Sequence, residues 1–273
     1  MRKTKQKKIS MRIKIIIISA ALVMFVCTVT VFYLILGSYD GLSLRQTIPK
    51  NPYDMSYVYE KNGFLHYDDG TYQSVTGIDV SVYQKEINWK KVKAAGVDFA
   101  MIRVGYRSYD EDGELVLDSR FKEHLKGAKK AGLDVGVYFF SQAKNTAEAI
   151  KEARFVVRHI RRKGITYPVV FDMEPIDGAD RITDLNADEK TEIADAFCQV
   201  IDRNGYRPMI YGNPQWLRKH INREYLTKYD TWLAHYADET DYPYDFKMWQ
   251  YSHTGKIDGI KGHVDLNMYF IES

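Results

Sequence analysis

The 273-residue chain has only two cysteines, Cys27 and Cys198, far apart in the sequence, so no disulfide framework is open to it. Cys198 falls inside an amphipathic helical pattern and reads as a small core residue rather than a nucleophile. A Gly-rich phosphate loop and a Gly-x-Ser-x-Gly elbow are both missing, which removes those nucleotide and serine-hydrolase signatures. None of the seven histidines stands at zinc-ligand spacing, and His235, His253 and His263 are scattered. No metal and no cofactor are expected. Acids are absent from the first 37 residues, which carry seven Lys or Arg. The remainder holds 32 basic against 36 acidic residues, a net of −4, and offers no nucleic-acid surface.

Charge of either sign is missing from residues 15–36. As a helix these 22 residues cover roughly 33 Å, the thickness of a bilayer core. The basic cluster lies wholly before them, so the positive-inside rule predicts a cytoplasmic basic segment at 1–14 and a single-pass transmembrane helix at 15–37, with all that follows outside the cell membrane. A cleaved signal peptide is the competing account. Its apolar region would be shorter, roughly 7 to 15 residues, and would end in small residues, whereas Phe32-Tyr33-Leu34-Ile35-Leu36 stays bulky. Met24-Phe25-Val26 before Cys27 lacks the small residue that precedes a lipid-bearing cysteine. Residues 38–56, with Gly41, Pro49 and Pro52 and no sustained period, read as a linker, a coil of roughly 25 Å r.m.s. length. Residues 57–74 carry Asn62-Gly63 and Asp69-Gly70 turn signals between aromatic-rich pieces and predict a small β hairpin or flap.

From residue 75 onward strand-length apolar runs alternate with helical patterns, which predicts parallel βα units. Thr76-Gly77-Ile78-Asp79-Val80-Ser81 opens the series, followed by a helix at 87–96 and a strand at 97–104. A helix face of Phe121, Leu125 and Ala128 stops at Gly132, and a strand at 134–140 leads to a helix with Ala147, Ile150, Ala153, Val157 and Ile160 on one face. Asn186-Ala187-Asp188-Glu189 has the form of a capping box for a helix ending at Gly205. Strands follow at 207–211, 231–236, 247–251 and 264–268, with connections too short for a full set of helices. The expected fold is an irregular α/β barrel of about eight strands with an incomplete ring of helices, over residues 75–273 and preceded by the one N-terminal transmembrane helix.

Tyr167-Pro168-Val169-Val170-Phe171-Asp172-Met173-Glu174-Pro175 reads as its central strand. Alternation puts Asp172 and Glu174 on one side, roughly 6.6 Å apart along the strand. Ionising both in a poorly solvated cleft is costly, so one should keep its proton near neutral pH, and a proton donor beside an anion is what glycoside cleavage needs. An isolated Asp-x-Glu also ends strands in solvent or holds a divalent cation, so the neighbours matter. In a barrel the active face collects the C-terminal ends of the strands. Asp79 ends the first, Tyr138 is near the end of the third, Tyr211 ends the fifth, and Asp265 lies in the last. Met248-Trp249-Gln250-Tyr251 adds a large ring with amide and phenol groups, a mixture suited to sugars as well as to a core. Trp89, Trp216 and Trp232 read as packing residues.

Gly77-Ile78-Asp79-Val80-Ser81 with Gln84, Trp89 and Val92-Lys93-Ala94, then residues 99–103, Gly136-Val137-Tyr138-Phe139-Phe140-Ser141, Phe171-Asp172-Met173-Glu174, Trp249-Gln250-Tyr251 and Val264-Asp265-Leu266-Asn267 together resemble glycoside hydrolase family 25. These are lysozymes of the N-acetylmuramidase type. The resemblance implies an irregular β/α barrel that cleaves β-1,4 bonds between N-acetylmuramic acid and N-acetylglucosamine in the peptidoglycan of the cell wall, which the extracellular domain would face. It implies Glu174 as proton donor, Asp172 as its essential partner, Asp79 and Asp265 as further acids of the cleft, and Tyr138 and Trp249 at substrate positions. Tyr211 and Gln250 complete the expected substrate-binding set. Phe140 stands where many relatives have tyrosine, and His235 where the residue varies. Two mechanisms remain open: attack by the substrate's acetamido group, oriented by Asp172, or activation of water by Asp172 with inversion. A glycan-binding module without turnover and a metal-dependent hydrolase built on the same acids are the rival functions.

Overall fold

In a computed structural model, which describes Met24, residues 45–176, Gly178 and residues 181–273, the apolar runs pair as the alternation predicts. β1 (Val58–Lys61) and β2 (Phe64–Tyr67) make an antiparallel hairpin; β3 (Tyr72–Val80), β4 (Phe99–Arg107), β5 (Leu115–Leu117), β6 (Asp134–Phe140), β7 (Val169–Asp172), β8 (Pro208–Gly212), β9 (Asp230–Ala234), β10 (Met248–Gly255) and β11 (Val264–Glu272) share a second sheet. The order β3-β11-β10-β9-β8-β7-β6-β4 closes on itself through a β3–β4 pairing, giving an eight-stranded barrel, and β5 hangs on β4 as an antiparallel edge. One strand departs from the parallel pattern. β11 runs antiparallel to both β3 and β10.

The helices are few: α1 (Trp89–Ala94), α2 (Phe121–Lys130), α3 (Thr146–Ile160), α4 (Ala187–Arg203) and α5 (Pro214–Lys219). Asn88, Asn145, Asn186 and Asn213 each accept a backbone N–H at the start of α1, α3, α4 and α5, satisfying donors that the helix leaves open. The predicted capping box of Asn186 and Glu189 is present. Inside the barrel lie Phe99, Met101, Val170, Met209, Trp232, Met248 and Tyr269. Gly77 has no side chain because the Phe99 ring takes its place: a Cβ there would sit 2.1 Å from that ring.

The expected hairpin is present as β1 and β2, packed on the barrel, but part of the segment expected as a linker is packed there as well. Gln46 N donates to Glu224 O, Asn51 N to Pro243 O, and Asp245 N to Pro49 O, so residues 46–51 are laid along the barrel. Tyr53 stacks on Phe270 at 3.9 Å and meets Phe246 and Tyr72 edge-on, while Phe64 and Tyr67 are buried. These rings cover the β11 and β3 wall, where no helix lies among the described residues. The expected flap boundary at residue 74 also falls inside β3, which is continuous from Tyr72. The expected span at 15–37 lies outside the described residues apart from Met24, and among the described residues no helix is long and apolar enough to cross a membrane.

Candidate active site

Strand alternation decides which side chains look into the barrel. Val75, Gly77 and Asp79 share the inner face of β3, Val170 and Asp172 that of β7, and Met248 and Gln250 that of β10. Because β11 runs backwards, its second residue Asp265 stands at the rim where the other strands end, in register with Asp79. Glu174 lies two residues beyond β7, half-buried. Its position is held from the neighbouring β6 end: Ser141 N donates to Asp172 O at 2.6 Å and Gln142 Nε2 to Glu174 O at 2.9 Å.

Asp79 is fixed by two amides whose orientation is set from behind. Trp232 Nε1, which can only donate, bonds Asn267 Oδ1 at 2.8 Å, so Asn267 Nδ2 must face Asp79 Oδ2, at 2.8 Å. Likewise Tyr211 and Tyr236 hydroxyls donate to Gln250 Oε1 at 2.9 and 3.1 Å, and Gln250 Nε2 donates to the same Asp79 oxygen at 2.8 Å. The Asp79 carboxyl also hydrogen-bonds that of Asp265.

Burial is the first cause that raises the proton affinity of all four acids, and their mutual repulsion adds to it. Asp79 is pushed well up by burial and by Asp265, and Asp265 rises to about 6. Asp172 is pushed well up by burial, then by Glu174 and Asp79; Glu174 is raised by burial, against which the hydrogen bond from Asp172 works. Asp172 Oδ1 is buried without a hydrogen-bond partner among the described residues, and the Glu174 carboxyl acts on Asp172 more strongly than any other charge. Of the two, Asp172 is the deeper carboxyl and the one burial pushes up further.

Tyr138 stands between the two acid pairs, edge-on to Trp232 at 6.0 Å, with Asp79, Asp172 and Asp265 all acting on its phenol. Trp249 is elsewhere. It is fully buried on the outer face of β10, opposite Gln250, with Nε1 donating to His235 O at 2.7 Å, so the expected contact with substrate is corrected to a core role. A lone aromatic in a strand gives no sign of its face until the register is known. Sequence reasoning missed Asn267, Tyr236 and Arg103. Arg103 lies under Tyr83 and Tyr106, 5.2 and 5.5 Å from the ring centroids, and is held by Asp118 at 2.9 Å. Tyr109, edge-on to Phe140 and 6.0 Å from Tyr106, extends this cluster, and Tyr83 is 72% exposed. The inward period of β11 (Asp265, Asn267, Tyr269) was the available signal for Asn267. Among the described residues no group of three or more His, Cys, Asp or Glu is arranged to hold a metal ion.

The family model described as "Glycosyl hydrolases family 25" matches residues 78–260. The chain belongs to this family. Among curated relatives of this family 25 chain, Lysozyme M1 of Streptomyces globisporus is 29% identical over 205 residues, 71% of this chain and 67% of the relative. Among solved structures, the bacterial lysozyme from Streptomyces coelicolor superposes with a TM-score of 0.58 at 26% identity, covering 71% of this chain and 91% of that one. The modular autolysin LytC from Streptococcus pneumoniae gives a TM-score of 0.64 at 24% identity over 78% of this chain, a likeness of fold; the match spans 52% of that autolysin. Asp79, Asp172 and Glu174 fall inside the matched residues of the family 25 chain. Asp265, Asn267 and the β1–β2 hairpin fall outside them.

Proposed function

We propose that this family 25 chain is a lysozyme of the N-acetylmuramidase type, which hydrolyses peptidoglycan at the β-1,4 bond between N-acetylmuramic acid and N-acetylglucosamine. Glu174 is the general acid and Asp172 its partner. The observation that carries this reading is the gathering of four buried or half-buried carboxyls, Asp172 and Glu174 from the end of β7 with Asp79 and Asp265, at one barrel rim where they act on one another.

The pair stores the proton that the leaving group needs. When the N–H of the substrate's acetamido arm comes to Asp172, it favours the Asp172 anion, and the proton passes across the shared hydrogen bond to Glu174. Glu174 donates it to the glycosidic oxygen as the acetamido carbonyl attacks C1 and the C1–O bond breaks. Glu174, now a carboxylate, then takes a proton from water adding to C1. This route retains configuration, so NMR should show the β anomer first. The test of the assignment is Glu174→Gln. Dye release from purified peptidoglycan should fall by about 10²- to 10⁴-fold, the usual contribution of a general acid. Mass spectrometry of the wild-type fragments should find N-acetylmuramic acid at the reducing end. Near-normal activity of the variant, or N-acetylglucosamine at the new reducing ends, would overturn the reading.

The seven basic residues before residue 15 and the uncharged residues 15–36 support an anchored protein, N-terminus in the cytoplasm and catalytic unit outside, facing the wall. Residues 46–56, bound to the barrel, add no reach to such a tether. This location favours remodelling of nearby wall over lysis of distant strands.

A further inference from the structure

We propose that the β1–β2 hairpin builds an additional sugar subsite beyond Tyr236, taking an outlying N-acetylglucosamine of the glycan strand that lies in the trench; this rests on the lysozyme reading above. A cavity of about 400 Å³ lies between the hairpin, the loop after β9 and the end of β10, within the range of small-ligand sites. Glu60 and Leu65 line it from the hairpin, Tyr236 and Asp238 from the loop after β9, and His253 and Thr254 from β10. One side chain links it to the acids. Tyr236 is half-exposed to the cavity while its hydroxyl donates to Gln250, the residue that holds Asp79.

The lining has the chemistry of sugar recognition. The Tyr236 ring, packed on His253 with centroids 4.4 Å apart, offers an apolar face for a pyranose, and two carboxylates without a cationic partner among the described residues can accept from its hydroxyls. Their charge selects between the two sugars of the strand. Glu60 and Asp238 repel the lactyl carboxylate of N-acetylmuramic acid when no peptide caps it and accept neutral N-acetylglucosamine. The wall is also rigid. Asn62 and Gly63, both at positive φ, form the tight turn, Phe64 is buried, and Leu65 N donates to the Tyr251 hydroxyl at 3.2 Å.

The test measures binding to the Glu174→Gln chain, so that turnover does not interfere, using peptide-free N-acetylglucosamine–N-acetylmuramic acid tetrasaccharide and octasaccharide in calorimetry. The octasaccharide should bind more tightly. Adding Glu60→Gln and Asp238→Asn, exposed isosteric changes that leave the hairpin folded, should weaken the octasaccharide by about tenfold, the size of one lost charge-assisted hydrogen bond, and leave the tetrasaccharide unchanged. Equal affinity for the two lengths, or equal weakening of both, would overturn the subsite. Length-dependent binding lost in the double variant, by a chain whose native form cleaves nothing, would leave the subsite standing and sink the lysozyme reading instead.

Discussion

At the scale of single residues, the acids of the trench are held at a cost to the fold. Asp265 has a folded-state pKa of about 6 against an ordinary 3.8, and Asp79, Asp172 and Glu174 move in the same direction. Over the interval between the two values the folded chain keeps a proton that the unfolded chain has lost, so stability falls as pH rises through it. The melting temperature should therefore be higher near pH 5 than near pH 8. Asp265→Asn should flatten this dependence and stabilise the fold at pH 8 by at most about 3 kcal/mol. A melting temperature that climbs from pH 5 to pH 8 would contradict the burial of these groups. The identities Asp79, Asp172, Glu174 and Asp265 were legible in the chain because carboxylates inside apolar strand patterns have no packing use. The depth at which each carboxyl sits was not, since it depends on how the strands close.

At the scale of elements, the end of β6 and the turn after β7 are braced by a buried network. Arg107 Nε donates to Glu152 Oε1 at 2.7 Å and its NH1 to Gly113 O at 2.6 Å; Ser141 Oγ donates to Glu152 Oε2 at 2.7 Å. Arg181 joins it through Glu148 at 2.8 Å and donates to Gln142 O at 3.0 Å. Glu152 is fully buried, and burial raises it to about 7 despite Arg107. Removing one member strands the other charge. Glu152→Ala should cost about 3–5 kcal/mol in urea denaturation, and by loosening Ser141 it should lower kcat more than it raises KM. A loss under 1 kcal/mol would mean that Arg107 finds another partner. The helix faces and caps behind this network follow local rules, which is why residues 121–130, 146–160 and 187–203 were readable. The network was not, because its members are brought together by β4, α3 and three loops.

At the scale of the whole molecule, the missing helices explain the N-terminal wrap. Tyr53, Phe64 and Tyr67 each contribute about 1.5–3 kcal/mol by covering the open barrel wall. A chain beginning at residue 45 should keep the melting temperature of the full protein and leave the membrane pellet, where the full protein should sediment. One beginning at residue 75 loses all three rings and three of the eight β3–β11 residue pairs, and should aggregate. A full-length chain found in the soluble fraction would refute the anchor, and a folded chain from residue 75 would refute the wrap.

Period and punctuation along the chain were enough for the βα order, the hairpin turns, the caps and the identity of the acids, because each depends on neighbours a few residues away. Barrel closure decided the rest. It turned β11 around so that Asp265 and Asn267 reach Asp79, faced Gln250 inward and Trp249 into the core, and laid residues 46–67 where helices are missing. Those choices belong to pairing across more than a hundred residues, and no local pattern carries the register that sets them.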